Sequence, residues 1–285
     1  MIELAADAGS ALYHKGIAGD SFNTAVYLAR AGLPVEYLTC LGDDSLSDDI
    51  LARLHDEGIA CGHIRRLAKR RPGLYLISND AAGERQFSYW RGQSPARELF
   101  DQAVELPEIT VFYFTGITLA VCRSGVENLV ALLRRLRQRG CSVIFDPNYR
   151  ANLWENRRQA QNYCRQVLPL CTMVLSTLDD DSQLWGIQEV DDCRDFYLGF
   201  GLQELVIKAP DLTAHAFAGA EQVVKSARPV AAVDTTGAGD SFNAGYLAAR
   251  LRGKSLDEAI SAAQALAATV VQHRGAITPR NVATT

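Results

Sequence analysis

The chain has no Cys-x-x-Cys pair, no excess of basic charge and no apolar stretch of membrane length. Each absence closes off a class of protein. Seven cysteines is an odd number without paired spacing, which argues against a disulfide framework or a structural zinc site and for reduced thiols in a cytosol. The five histidines are scattered with no His-x-x-x-His spacing, so a zinc enzyme has little support. Lys and Arg number 29 against 33 Asp and Glu, a formal net charge of -4, and no nucleic-acid partner is expected. Arg134, Arg135, Arg137 and Arg139 lie close together, but on a helix they spread around the outer face and read as solvated surface. The most apolar stretch, 111–122, is interrupted by Thr115, Gly116 and Thr118 and falls short of the roughly 20 residues of a membrane helix. Met1-Ile2-Glu3-Leu4 carries no basic segment ahead of an apolar core, so a secretory signal is not expected and a cytoplasmic location is.

What remains, at 285 residues with 48% hydrophobic and 22% charged, has the balance of a globular protein. Short β-branched and aromatic runs at 35–40, 74–78, 109–115, 142–146, 172–176 and 204–208 predict strands. Helical patterns fall at 21–31, 45–57, 124–139, 156–167, 191–200, 240–251 and 256–273. That alternation predicts an α/β fold with a mainly parallel sheet flanked by helices. One section departs from it. Residues 72–91, PGLYLISNDAAGERQFSYWR, place two strand-like runs around a turn cluster at 79–83, a β-hairpin signal of the kind that serves as a lid or an oligomer contact. No linker rich in Pro, Gly or Ser divides the chain, so 1–285 is expected to be one domain with a β excursion at about 72–92, in a homodimer or higher homo-oligomer. The start is unusual for such a domain: residues 1–4 could only finish a strand, so the first strand is expected either upstream of Met1 or extremely short.

The strongest local signal is Asp234-Thr235-Thr236-Gly237-Ala238-Gly239-Asp240, directly before a helical pattern. Gly237 and Gly239 permit a tight turn with N–H groups facing a ligand, and the helix N-terminus behind them favours anions. A carboxylate placed in an anion site is electrostatically unfavourable unless it takes a proton from a hydroxyl that attacks a phosphoryl group. The plainer alternative is an ordinary turn with Asp240 as a helix cap. Neither of two familiar phosphate motifs is present: Phe242 stands where a dinucleotide fingerprint needs its third Gly, and Ala248 where Gly253-Lys254-Ser255 would need the first Gly of a P-loop. The second signal is an echo. Gly19-Asp20-Ser21-Phe22-Asn23 recurs letter for letter as Gly239-Asp240-Ser241-Phe242-Asn243, as two halves of one polar site would, although helix starts are compositionally alike.

With these motifs the chain resembles the PfkB (ribokinase-like) carbohydrate kinases over nearly its whole length. Within that family it is most similar to the 2-keto-3-deoxygluconate kinases, through GLYLISNDAAGERQFSYWR, VIFDPNYRANLW at 143–154, STLDDDSQLWG at 176–186 and VVQHRGAITPR at 270–280. The resemblance implies a ribokinase-like fold with a small β-hairpin lid, and ATP-dependent phosphorylation of the terminal hydroxyl of 2-keto-3-deoxygluconate. It implies Asp240 as the catalytic base and Gly237, Ala238 and Gly239 as the anion hole. Gly19, Asp20 and Asn23 would hold sugar hydroxyls, with Tyr89, Arg91 and Arg150 as further substrate ligands. Tyr89 and Arg91, two apart on a strand, point to one face and can converge on one ligand.

Lys208 and Thr177 match the nucleotide-binding positions together with Gly237 and Gly239, Asp180 matches a metal-associated carboxylate, and the implied cofactors are ATP and Mg²⁺. Three segments depart from the family, the first being its opening strand with a Gly-Glu ending, which is missing here. The nucleotide loop reads Lys208-Ala209-Pro210-Asp211, where Pro210 has no N–H to offer a phosphate, and the family's Asn-x-x-Glu segment reads Thr177-Leu178-Asp179-Asp180. A kinase of another sugar, of fructose or ribose type, and a non-catalytic sugar-binding relative are the alternatives.

Overall fold

The computed structural model describes residues 1–6, 12–79 and 85–282. Four parallel strands form its centre: β7 (Val111–Thr115), β8 (Ser142–Asp146), β9 (Met173–Thr177) and β10 (Glu204–Lys208). Two antiparallel strands, β11 (Thr213–Ala218) and β12 (Glu221–Ser226), complete a six-stranded sheet in the order β12-β11-β10-β9-β8-β7. The centre is buried on both faces, so its strands read as near-continuous apolar runs. Side chains alternate between two cores accordingly. Val143, Phe145, Val174, Leu205 and Ile207 face α4 (Val126–Gln138), α5 (Arg157–Val167), α6 (Leu178–Trp185) and α7 (Val190–Leu198). Ile144, Leu175 and Val206 face α8 (Ala238–Leu251) and α9 (Leu256–Val271). Small residues let α8 and α9 approach closely, since a Cβ on Gly245 would lie 2.9 Å from the Ala263 Cα.

The hairpin predicted at 72–91 forms β5 (Leu74–Asn79) and β6 (Arg85–Trp90), paired antiparallel; its turn lies outside the described residues from 80 on. Residues 2–6 form a strand, β1 (Ile2–Ala6), which pairs in parallel with β5 and antiparallel with β2 (Tyr13–Ile17). The lid is therefore a four-stranded sheet, β2-β1-β5-β6, and not a bare hairpin. One face of it, through Ile2, Leu4, Ile17 and Leu74, packs on the cluster of α1 (Asp20–Arg30) and α2 (Ser45–Asp56). The strand predicted at 35–40 shrinks to β3 (Cys40–Leu41), paired with β4 (Arg65–Arg66), plus a bridge from Glu36 to Ala60.

Helices α3 (Gly116–Val121) and α6, and the β11–β12 hairpin, had no clear sequence signal. The hairpin segment is rich in alanine, and α6 is short and acidic in its first turn. All seven cysteines are unpaired, and no helix among the described residues is long and apolar enough to cross a membrane.

Candidate active site

Parallel strands in one register end at one level. The last residues of β7 and β8, Thr115 and Asp146, are paired, as are those of β9 and β10, Thr177 and Lys208. Ligands of open α/β sheets bind at such carboxyl ends. Two helix starts, α1 and α8, pack against each other above this edge, and both halves of the sequence echo sit there.

The echo meets itself across that contact. Asn23 Nδ2 donates to Asp240 Oδ2 at 2.8 Å, and the Thr24 hydroxyl donates to the Asp240 carbonyl at 3.3 Å. Gly19 N–H reaches Asn23 Oδ1 at 3.3 Å, which orients the amide. Asp20 accepts from the Thr115 hydroxyl. The Asp240 carboxyl is pushed up to about 7, first by burial and then by the negative field of Asp20, with the Asn23 bond pulling the other way. A general base works best when its pKa lies near the operating pH. As a general base Asp240 would act in its carboxylate form, so kcat/KM should fall about tenfold per pH unit below pH 7 and level off above it. A pH–rate profile checks this; a flat profile down to pH 5 would show that Asp240 ionises as an ordinary aspartate.

Gly237 makes the turn into α8 with φ 78, in the left-handed region that glycine tolerates. A Cβ there would also lie 2.8 Å from the Ala276 Cβ. Ala238 and Gly239 begin the helix, whose first N–H groups have no intrahelical acceptor. The space beside Gly239 is open. Asp234 braces the loop by accepting from Thr236 N–H at 3.0 Å and from Gly275 N–H at 2.7 Å. The C-terminal segment is held in turn by Tyr27, whose hydroxyl donates to the Ala276 carbonyl at 2.9 Å.

Beside this lies a second network that the sequence did not single out. Asn243, the echo's other amide, accepts from Lys208 Nζ at 2.8 Å and donates to Asp146 Oδ2 at 2.8 Å, and the Tyr113 hydroxyl donates to the same oxygen at 3.3 Å. Asp146 was visible only as a letter of the segment 143–154, and Thr115 only as a strand end. Burial raises the Asp146 pKa and that of Asp180; Asp180 raises Asp146 further, and Lys208 opposes both shifts. Among the described residues no group of three or more His, Cys, Asp or Glu is placed to hold a metal ion. Mg²⁺, however, is usually held by one or two carboxylates with phosphates and water. Buried Asp146 and part-buried Asp180, whose charge raises the Asp146 pKa, fit such a cation, as does the buried Asn148 Oδ1, which has no hydrogen-bond partner among the described residues.

Of the predicted substrate arginines, the two go different ways. Arg91 lies over the Tyr89 ring, 4.2 Å from its centroid, and both line a cleft under the lid. Burial lowers the Arg91 pKa, while Tyr89 and Asp20 favour its charge. Arg150 instead donates to Asp180 Oδ1 at 3.2 Å and to the Tyr149 carbonyl at 2.7 Å, with half of its side chain exposed.

The residue that looked wrong for a nucleotide loop has a turn to serve. Leu212 N–H donates to the Ala209 carbonyl at 3.2 Å, so Pro210 occupies the second position of a β-turn, where its fixed φ is favoured. The strain falls on Leu212, with φ 66 and a half-exposed side chain. Leu212→Gly should therefore stabilise the protein by about 0.5–1 kcal/mol, with the entropy cost of glycine already deducted. A rise of roughly 1–4 °C in Tm would register it; a fall would show that the leucine contacts outweigh the strain.

Solved structures share this architecture. A PfkB protein from Polaromonas sp. JS666 superposes with a TM-score of 0.85 at 26% identity, covering 95% of this chain and 93% of that one. Aminoimidazole riboside kinase from Salmonella enterica, complexed with aminoimidazole riboside and an ATP analog, does so with a TM-score of 0.84 at 27% identity, covering 96% and 91%. The family model for pfkB family carbohydrate kinases matches residues 10–283. The chain belongs to the pfkB family of carbohydrate kinases, and so is an ATP-dependent phosphotransferase. Its relatives include 2-dehydro-3-deoxygluconokinase of Escherichia coli K12, 40% identical over 281 residues, covering 93% of this chain and 91% of the relative. The enzyme of the same name from Dickeya dadantii is 38% identical with the same coverage.

Proposed function

We propose that the enzyme transfers the γ-phosphoryl group of ATP to the terminal hydroxyl of 2-keto-3-deoxygluconate, the compound also called 2-dehydro-3-deoxygluconate. The products are 2-keto-3-deoxy-6-phosphogluconate and ADP. Relatives at 36–40% identity bearing that activity in their names support the substrate. The observation that carries it is Arg91, a half-buried guanidinium under the lid with no carboxylate partner among the described residues. Burying such a cation is unfavourable unless an anion joins it, and a keto acid brings one where a neutral sugar does not.

In this reading Asp20 and Asn23 hold sugar hydroxyls, with Gly19 shaping the turn. Asp240 accepts the proton of the hydroxyl as its oxygen bonds to the γ-phosphorus. The bond from that phosphorus to the bridging oxygen breaks, and ADP leaves with the electron pair. The N–H groups at Gly237, Ala238 and Gly239 receive charge on the transferred group, and Lys208 and Thr177 face the nucleotide. Asp180 and Asp146 would hold Mg²⁺, whose contribution when bound is to neutralise phosphate charge.

A coupled ADP-release assay decides it. Release that depends on 2-keto-3-deoxygluconate is expected. Fructose or ribose turned over as well as the keto acid would overturn the substrate assignment, and no sugar-dependent release would favour a non-catalytic binder.

A further inference from the structure

The cleft that Arg91 lines is a cavity of about 280 Å³, bounded by Tyr89, Arg97, Val121, Arg123 and Leu153 among others. Three guanidinium groups face it and no carboxylate does. Arg97 sits half-buried on the short 3-10 turn Pro95–Glu98, its guanidinium making no hydrogen bond or ion pair among the described residues; its neighbour Glu98 is paired elsewhere, with Arg70. Arg123 also lines the cavity, its Nη1 donating to the Ala120 carbonyl at 3.2 Å and to the Leu153 carbonyl at 3.5 Å. Those bonds aim the fork and occupy only one of its nitrogens.

The cavity is linked to the Asp20 side of the site through α3. The field of Asp20 is felt both at Asp240 and at Arg91. Thr115, which holds Asp20, caps α3, and the six residues of α3 run from there to Val121 in the cavity wall. At 1.5 Å per residue that is about 9 Å. A six-carbon acid extends roughly 6–9 Å from terminal hydroxyl to carboxylate at ordinary bond lengths. A keto acid held by its terminal hydroxyl at Asp240 and by its carboxylate at Arg91 would present that carboxylate to the cavity that Arg97 and Arg123 also line. Arg150, half-exposed and engaged by Asp180, is less well placed to receive it.

We infer that Arg97 and Arg123 complete the carboxylate pocket begun by Arg91 and set the preference for an acid over a neutral sugar. The inference rests on the keto-acid reading above. Two planar forks beside a third can bind both carboxylate oxygens with several charge-assisted bonds. Neither residue belongs to the glycine turn before α8, so the effect is expected in substrate affinity.

The test measures kcat and KM for 2-keto-3-deoxygluconate, and kcat/KM for fructose, in wild type and in Arg97→Leu, Arg123→Leu and Arg97→Lys. Binding of the acid is followed by calorimetry in parallel, and melting temperatures check folding. Each leucine variant should raise KM and Kd for the acid by about 10- to 100-fold, with kcat within threefold and the fructose value unchanged. Arg97→Lys, which keeps charge without the fork, should fall between. An acid KM within twofold of wild type in all three variants overturns the inference, as do equal losses on both sugars. Wild type that ignores the acid altogether sinks the substrate reading itself, a result distinct from active wild type with unaffected variants.

Discussion

Replacing Asp240 by asparagine will lower kcat by about 10²–10⁴ while sugar binding survives. The amide keeps the size of the carboxyl and can still accept the 2.8 Å bond from Asn23, but it cannot take a proton from the substrate. Calorimetric binding of the sugar alongside single-turnover rates separates the two effects. Near-normal turnover would remove Asp240 from the chemistry.

The same variant should be more stable than wild type at pH 8. The folded-state pKa of Asp240 is raised, from an ordinary 3.8 to about 7. Its neutral form therefore favours folding: the contribution is full below pH 4 and is lost as the pH rises to about 7. Asparagine stays neutral throughout, so the gain appears only at the higher pH. It should amount to roughly 1–2 kcal/mol after allowance for solvent screening of a partly exposed side chain, or about 2–8 °C in Tm. Equal melting temperatures at pH 8 would mean the carboxylate is well solvated, and would also undercut its role as a base poised near neutrality.

Arg91→Ala carries the second large effect. Truncating one partner of a close, desolvated charge pair typically costs about 2–5 kcal/mol, or roughly 30-fold to several thousand-fold in kcat/KM for the keto acid. The loss for fructose should stay below about threefold, because no anion is there to be abandoned. Arg91 also stacks on Tyr89, so Tyr89→Phe should retain most activity and Tyr89→Ala should lose part of what Arg91→Ala loses. Arg150→Lys should have a smaller effect than Arg91→Ala, since in this structure Arg150 already spends its fork on Asp180 and a carbonyl. Kinetics on both sugars across these variants check the set; parallel losses on acid and neutral sugars would make Arg91 a structural residue.

Much of this was legible in the chain because the relevant physics is local. Strands 142–146 and 204–208 coincide with the predicted runs, since sequences buried on both faces need unbroken apolar residues. The turn before α8 was legible because only glycine suits the backbone at Gly237. The echoed pentapeptide was readable as one site in two pieces, and Asn23 does meet Asp240. Less local features were not. Residues 213–226 form two strands with few β-branched residues in the first, because β10 offers a paired edge and the cover of α9 compensates for weak propensity. Residues 2–6 form a strand that joins the lid, a choice made by the apolar cluster beneath Ile2 and Leu4.

The sequence by itself determined the α/β class, the glycine turn into α8 and the candidate base Asp240, because periodicity, backbone permissiveness and side-chain chemistry are properties of short stretches. Only the tertiary structure decided what those residues experience. It set the Asp240 pKa by burying the carboxyl beside Asp20, 220 positions away in the numbering. It gave Pro210 a turn to build, turned Arg150 toward Asp180, and gathered Arg91, Arg97 and Arg123 around one cavity. Charges act through space and through the local dielectric, and neither can be computed from position along a chain.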